Sequence, residues 1–103
     1  KVRAPNGRLV YAPPGTSDAD KLRALGSALR RYAVGVEAAG SLVVITTPSG
    51  YANALGQVMD EAAHPAIAGT IAGDNTIFVA ARDGVSAQSL RDELSGYLLQ
   101  GAA

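Results

Sequence analysis

Six consecutive residues, Leu42-Val-Val-Ile-Thr-Thr47, are apolar or β-branched, and they constrain the fold more than any other stretch. Such a run fits a pleated strand and is too short for a buried helix. Its even apolarity predicts a strand covered on both faces, central in a sheet. Val34 and Val36 alternate with Gly35 and Glu37 just upstream, and Gly40 supplies a turn between the two runs. Together they predict a hairpin. A second hairpin is predicted from residues 66–72 and 76–81, joined by Gly73-Asp74-Asn75, residue types that accept tight-turn conformations.

Helical spacing fills the gaps between these hairpins. Leu22, Leu25, Leu29 and Tyr32 or Ala33 form one stripe, with Asp18 and Asp20 near the start and Ser17 as a candidate cap. Ser49-Gly50 opens a second helix with a core stripe of Leu55, Val58, Met59 and Ala62, and Pro65 bars its continuation. Ser86 caps a third, with Leu90, Leu94, Tyr97 and Leu98 on one face and Gly101-Ala-Ala fraying at its end. The predicted order is α-β-β-α-β-β-α. The simplest α+β solution is an antiparallel four-stranded sheet with helices packed on one face.

Ahead of this unit, Pro5-Asn6-Gly7 separates Val2-Arg3 from Arg8-Leu-Val-Tyr11, a hairpin signal in a basic setting. Pro13-Pro14-Gly15-Thr16 then reads as a linker. Two strands alone are not stable, so the ribbon reads as the remnant of a larger unit. The expected division is residues 1–16 as ribbon and linker and 17–103 as the main domain. At 103 residues the core is thin, yet 48% of the chain is hydrophobic and only 17% charged. Surplus apolar surface favours association with further subunits.

Equal numbers of basic and acidic residues, nine each, hide an asymmetry. Residues 1–31 hold seven bases against two acids, and residues 32–103 hold two bases against seven acids. The basic part fits a nucleic-acid-facing end or the solvated face of a helix over residues 21–31. No apolar run reaches the ~18 residues of a membrane span and no signal peptide is visible, so the expectation is a soluble, cytoplasmic protein.

Enzyme chemistry finds little to work with. There is no cysteine, and the single histidine, His64, precedes a proline at a helix end, where surface or capping roles are commoner than catalysis. Zinc would need a nitrogen or sulfur shell that one histidine cannot supply. Ser49, Ser86 and Ser89 lack a general base in motif form. Polar groups at element ends remain. Asp74 sits at a hairpin tip, while Asn53 and Asp60 lie seven residues apart on one helix face. Backbone N–H groups at Ser49, Gly50, Tyr51 and Ala52 could hold a carboxylate. These suit an amino-acid ligand with a cationic side chain; a guanidinium would prefer a bidentate carboxylate. Equally, Asp74-Asn75 suits a plain turn and Asp60 a solvated helix surface.

Gly69-Thr-Ile-Ala-Gly-Asp-Asn-Thr-Ile-Phe78 resembles the signature hairpin of the arginine repressor family's C-terminal domain. Thr46-Thr-Pro-Ser-Gly-Tyr-Ala-Asn53 is similar to that family's strand-to-helix corner, and residues 2–12 to the wing closing its winged helix-turn-helix domain. The resemblance implies trimers stacked as a hexamer, with L-arginine bound between them as corepressor and no other cofactor. It also implies operator DNA bound through an N-terminal domain absent from this chain, and regulation of arginine metabolism rather than catalysis. The implied arginine contacts fall on Asn53, Asp60, Thr70, Asp74 and Asn75. Family members usually carry glutamine at position 53 and a second aspartate at position 75. Losing a charge-assisted bond costs on the order of 1.5–3 kcal/mol, about tenfold to a hundredfold in affinity. The alternative is therefore an oligomerisation module that needs no ligand, or a sensor of another amino acid.

Overall fold

The computed structural model describes Val2–Arg3, Leu9–Val10 and residues 18–100. The expected Ser17 cap, the turn at Pro5-Asn6-Gly7, the linker at residues 13–16 and the frayed end at residues 101–103 lie outside the described residues. Nine elements follow in order: β1 (Val2–Arg3), β2 (Leu9–Val10), α1 (Asp18–Tyr32), β3 (Gly35–Ala39), β4 (Leu42–Thr46), α2 (Ala52–Ala62), β5 (Ile67–Ala72), β6 (Thr76–Ala81) and α3 (Ala87–Gln100). After the β1–β2 ribbon, in which Val2 pairs with Val10 and Arg3 with Leu9, the order is the expected α-β-β-α-β-β-α.

The main sheet runs β3-β4-β6-β5 and every neighbouring pair is antiparallel. Ala39 pairs with Leu42 across a two-residue loop, and Gly40 there takes φ +62°, which a side chain would resist. Strands of period two give the sheet two unlike faces. On one face, the pairs Val43–Val79 and Ile45–Ile77 are fully buried under the helices. α2 packs over β5 and β6, α3 over β3 and β4, and α1 packs on both other helices. Leu25 and Leu29 of α1, Leu55 and Met59 of α2, and Leu90 and Leu94 of α3 complete this core. Leu22 stands at the margin of its stripe and stays exposed, and Val58 is only half-buried.

Among the described residues, no helix covers the other face. Val44 pairs with Phe78, Phe78 with Ile71, and Leu42 with Ala80. Phe78 remains 49% exposed and Ile71 76%, while Leu42 and Val44 are half-buried. The expectation that the central strand is buried on both faces is thus corrected for a single copy of the chain. β4 is central, but only its Val43–Ile45 side is covered.

Helix ends follow local chemistry. The Ser86 hydroxyl accepts the Ser89 N–H at 3.0 Å, as expected for the cap of α3. α2 ends where Ala63 takes a left-handed conformation (φ 50°, ψ 47°) just before His64-Pro65. His64 is only 6% exposed, so of the two expected roles, surface or capping, the surface one is corrected. Its Nδ1 accepts the Ala66 N–H at 3.0 Å and its Nε2 contacts the Glu93 carboxylate of α3. With Nδ1 accepting, the neutral ring donates from Nε2, so one imidazole ties the α2–β5 corner to the third helix.

Candidate functional site

Helical period places Asn53, Gly56, Gln57 and Asp60 along one strip of α2, at offsets of three, four and seven residues. Alternation on β5 places Thr70 and Ala72 on the sheet face that α2 covers. These six residues line one open depression of about 410 Å³, within the usual range for small-molecule pockets. Gly56 explains how closely the helix approaches. A Cβ built there would lie 3.3 Å from the Ala72 Cβ, tighter than ordinary contact. The absent side chain is what lets α2 settle against β5.

Across this depression the Thr70 hydroxyl donates to one oxygen of Asp60 at 2.8 Å. The bond orients the carboxylate without neutralising it, because a hydroxyl is an uncharged donor. None of the six lining residues is basic. A carboxylate so held, with an amide from Asn53 and another from Gln57 on the same wall, suits a ligand bearing a cation and hydrogen-bonding groups.

The structure brings Asn53, Asp60 and Thr70 into this depression, and leaves Asp74 and Asn75 outside its lining. Both occupy the β5–β6 hairpin tip, which is stitched to the segment entering α2. Thr47 N–H donates to the Asn75 carbonyl at 2.8 Å, and Gly50 and Ala52 N–H donate to the Asp74 carbonyl at 2.9 and 3.4 Å. The expectation that these helix-entry donors are free for a ligand carboxylate is therefore corrected at Gly50, Tyr51 and Ala52. A backbone carbonyl from the hairpin takes two of them, and Tyr51 N–H turns to Pro48 O at 3.2 Å. That carbonyl also compensates for Tyr51, the cap residue of α2, which forms no side-chain capping bond. The Ser49 hydroxyl donates to the Asp74 carboxylate at 2.5 Å, and the Thr76 hydroxyl donates to the Asn75 side-chain carbonyl at 3.0 Å.

Gln57 was not among the residues expected at the site, although its spacing of four from Asn53 would have placed it on the same strip. Gly56, Ala72 and the Ser49–Asp74 bond carry no comparable signal in the sequence. Among the described residues, no cluster of three His, Asp or Glu side chains could hold a metal ion. No described helix is long and apolar enough to cross a membrane.

Comparisons of the sequence with known proteins point to one family. A family model described as "Arginine repressor, C-terminal domain" matches residues 29–96. An arginine repressor of Clostridium kluyveri is 38% identical over 100 residues, covering 97% of this chain and 67% of that protein. One from Thermus thermophilus is 41% identical over 68 residues, covering 66% of this chain and 42% of that protein. One from Staphylococcus carnosus is 32% identical over 98 residues, covering 95% of this chain and 65% of that protein. The chain thus spans between two-fifths and two-thirds of the length of these relatives. The family match over residues 29–96 and the alignment of 97% of this chain with the Clostridium kluyveri protein lead to one conclusion: this chain belongs to the arginine repressor family and corresponds to its C-terminal domain.

Proposed function

We propose that this chain is the arginine-sensing and self-assembling part of a transcriptional regulator of arginine metabolism. The observation that carries this reading is the Asp60 carboxylate, held by Thr70 at 2.8 Å in a depression whose lining contains no base. L-arginine would be bound as corepressor through Asn53, Asp60, Thr70, Asp74 and Asn75. The depression is open on one side, which suits a ligand finally enclosed by another copy of the chain. The apolar helix-free face, with Ile71 and Phe78 exposed, supports association into trimers and, with arginine between two trimers, a hexamer. Operator DNA would be bound through a separate N-terminal domain, and the regulator would work in the cytoplasm without a further cofactor or enzymatic activity.

Linkage supplies the logic. A ligand that sits between trimers binds only the assembled state, and so stabilises the assembly as its concentration rises. An assembly that presents several DNA-binding heads gains effective concentration on paired operator sites.

Calorimetric titration with arginine, ornithine, citrulline and lysine tests the sensor. Arginine should bind and the other three should be weaker by tenfold or more; silence with all four ends the proposal. Solution mass with and without arginine tests the assembly, with a trimer-to-hexamer step as the expected result. One observation favours a second reading, assembly without arginine or with another amino acid. Asn75 lacks the carboxylate usual at this position, and its side-chain carbonyl already accepts the Thr76 hydroxyl. A hexamer that forms equally with and without arginine supports that alternative.

A further inference from the structure

We infer that Ser49 is a positioning residue for the acid at the hairpin tip: its hydroxyl fixes the orientation of the Asp74 carboxylate and leaves it charged for the ligand's cation. The inference rests on the arginine-sensing role proposed above, and it concerns a residue outside the five assigned to the ligand.

Backbone bonds hold the tip but not its side chain. The bonds from Thr47, Gly50 and Ala52 to the carbonyls of Asn75 and Asp74 fix the main chain of the turn. They leave both side-chain torsions of Asp74 free, and an exposed carboxylate with no partner samples several rotamers. Among the described residues, the Ser49 hydroxyl makes the one side-chain bond to that carboxylate, at 2.5 Å to Oδ2. The length is in the range of a charge-assisted O–H···O⁻ bond.

Ser49 lies between two residues of set backbone. Pro48 before it has its own φ fixed by its ring, and Gly50 after it takes φ +89°, a conformation that L side chains rarely adopt. The Gly50 N–H returns to the Asp74 carbonyl at 2.9 Å, so serine and aspartate meet inside a small closed loop of hydrogen bonds. A lysine or arginine here would cancel the charge of Asp74. A serine orients it and keeps it, which leaves Oδ1 and the negative charge for an incoming cation. Ordering the carboxylate before the ligand arrives removes part of the entropic cost of binding.

Two measurements test this on the 103-residue chain. Scalar couplings at the Asp74 Cβ, read by NMR without ligand, should report one χ1 rotamer in the native chain and rotamer averaging in Ser49→Ala. Titration with arginine should show about 3- to 10-fold weaker binding for Ser49→Ala, as expected for one lost hydrogen bond. Ser49→Thr, which keeps the hydroxyl, should recover most of that loss. Asp74→Asn should weaken binding further, and adding Ser49→Ala to it should then change nothing, because the serine acts through the carboxylate.

The same 3- to 10-fold loss in the Asp74→Asn background overturns the inference, and so does unchanged or tighter binding by Ser49→Ala alone. A native chain that takes up no arginine defeats the sensing role instead. The couplings then decide the positioning role on their own: one rotamer lost in Ser49→Ala supports it, and averaging in both chains overturns it.

Discussion

The two faces of the four-stranded sheet have similar chemistry and opposite fates. Beneath the helices, Val43, Ile45, Ile77 and Val79 are fully buried. On the reverse, Leu42, Val44, Ile71 and Phe78 are just as apolar, yet two are half-buried and two exposed. Strand alternation guarantees this split, since neighbouring residues of β4 and β6 point in opposite directions. The difference separates two tasks. The covered face stabilises one copy of the fold, and the bare face holds apolar surface of the kind that association removes from water.

Substitutions should separate these tasks, and the largest effect belongs to the covered face. Ile45→Ala removes a fully buried side chain and should cost about 2–5 kcal/mol of stability, measured by denaturant unfolding. A loss below about 1 kcal/mol would mean that the two faces are not energetically distinct. Next comes the bare face, where Phe78→Asp places a charge at its centre. This variant should keep its circular dichroism spectrum while losing assembly, on the order of 2 kcal/mol per contact, read as solution mass. Unchanged mass would show that copies of the chain do not meet through this face.

Smaller effects concern how firmly the helix layer is fastened. His64→Ala leaves the Ala66 N–H and Glu93 without the imidazole and should cost about 1–3 kcal/mol in the same unfolding assay. Mass should not change, because the residue lies on the helical side. The smallest effect is pH-dependent. Burial, then the charge of Glu93, then a hydrogen bond to it raise the Tyr97 phenol above its ordinary value of 10.0. The folded state therefore holds that proton more tightly than the unfolded chain. This contribution to stability is complete below pH 10.0 and is lost as pH rises through the raised folded value. Tyr97→Phe should flatten that alkaline decline and leave neutral stability within about 0.5 kcal/mol, the usual span for a surface change.

Much of the covered face was legible from periodicity. The stripes of Leu25 and Leu29, Leu55 and Met59, and Leu90 and Leu94 repeat at helical spacing, and each pair is buried as that spacing requires. The bare face was misread because an apolar run records that a strand is covered, not what covers it. Val44 looks the same under a helix of its own chain as under a neighbouring subunit. At the site, the placing of Asn53 and Asp60 on one strip followed from their spacing, whereas Thr70 meeting Asp60 depends on how α2 crosses β5. Main-chain carbonyls are identical in every residue, so nothing in the letters revealed that Asp74 would seal the start of α2. His64 was equally opaque, since its partner Glu93 lies 29 residues away on another helix.

The seal at Asp74 has a consequence for how the family's ligand preference can drift. Position 74 serves the helix through its carbonyl, while its side chain, proposed above as a ligand contact, is chemically independent of that bond. Exchange of the carboxylate for another polar group leaves the Gly50 and Ala52 bonds in place. Under the proposed sensing role, selection can therefore retune that side chain without putting the scaffold at risk. Lengthening the hairpin by one residue has no such freedom, because it would move the carbonyl away from the helix it closes.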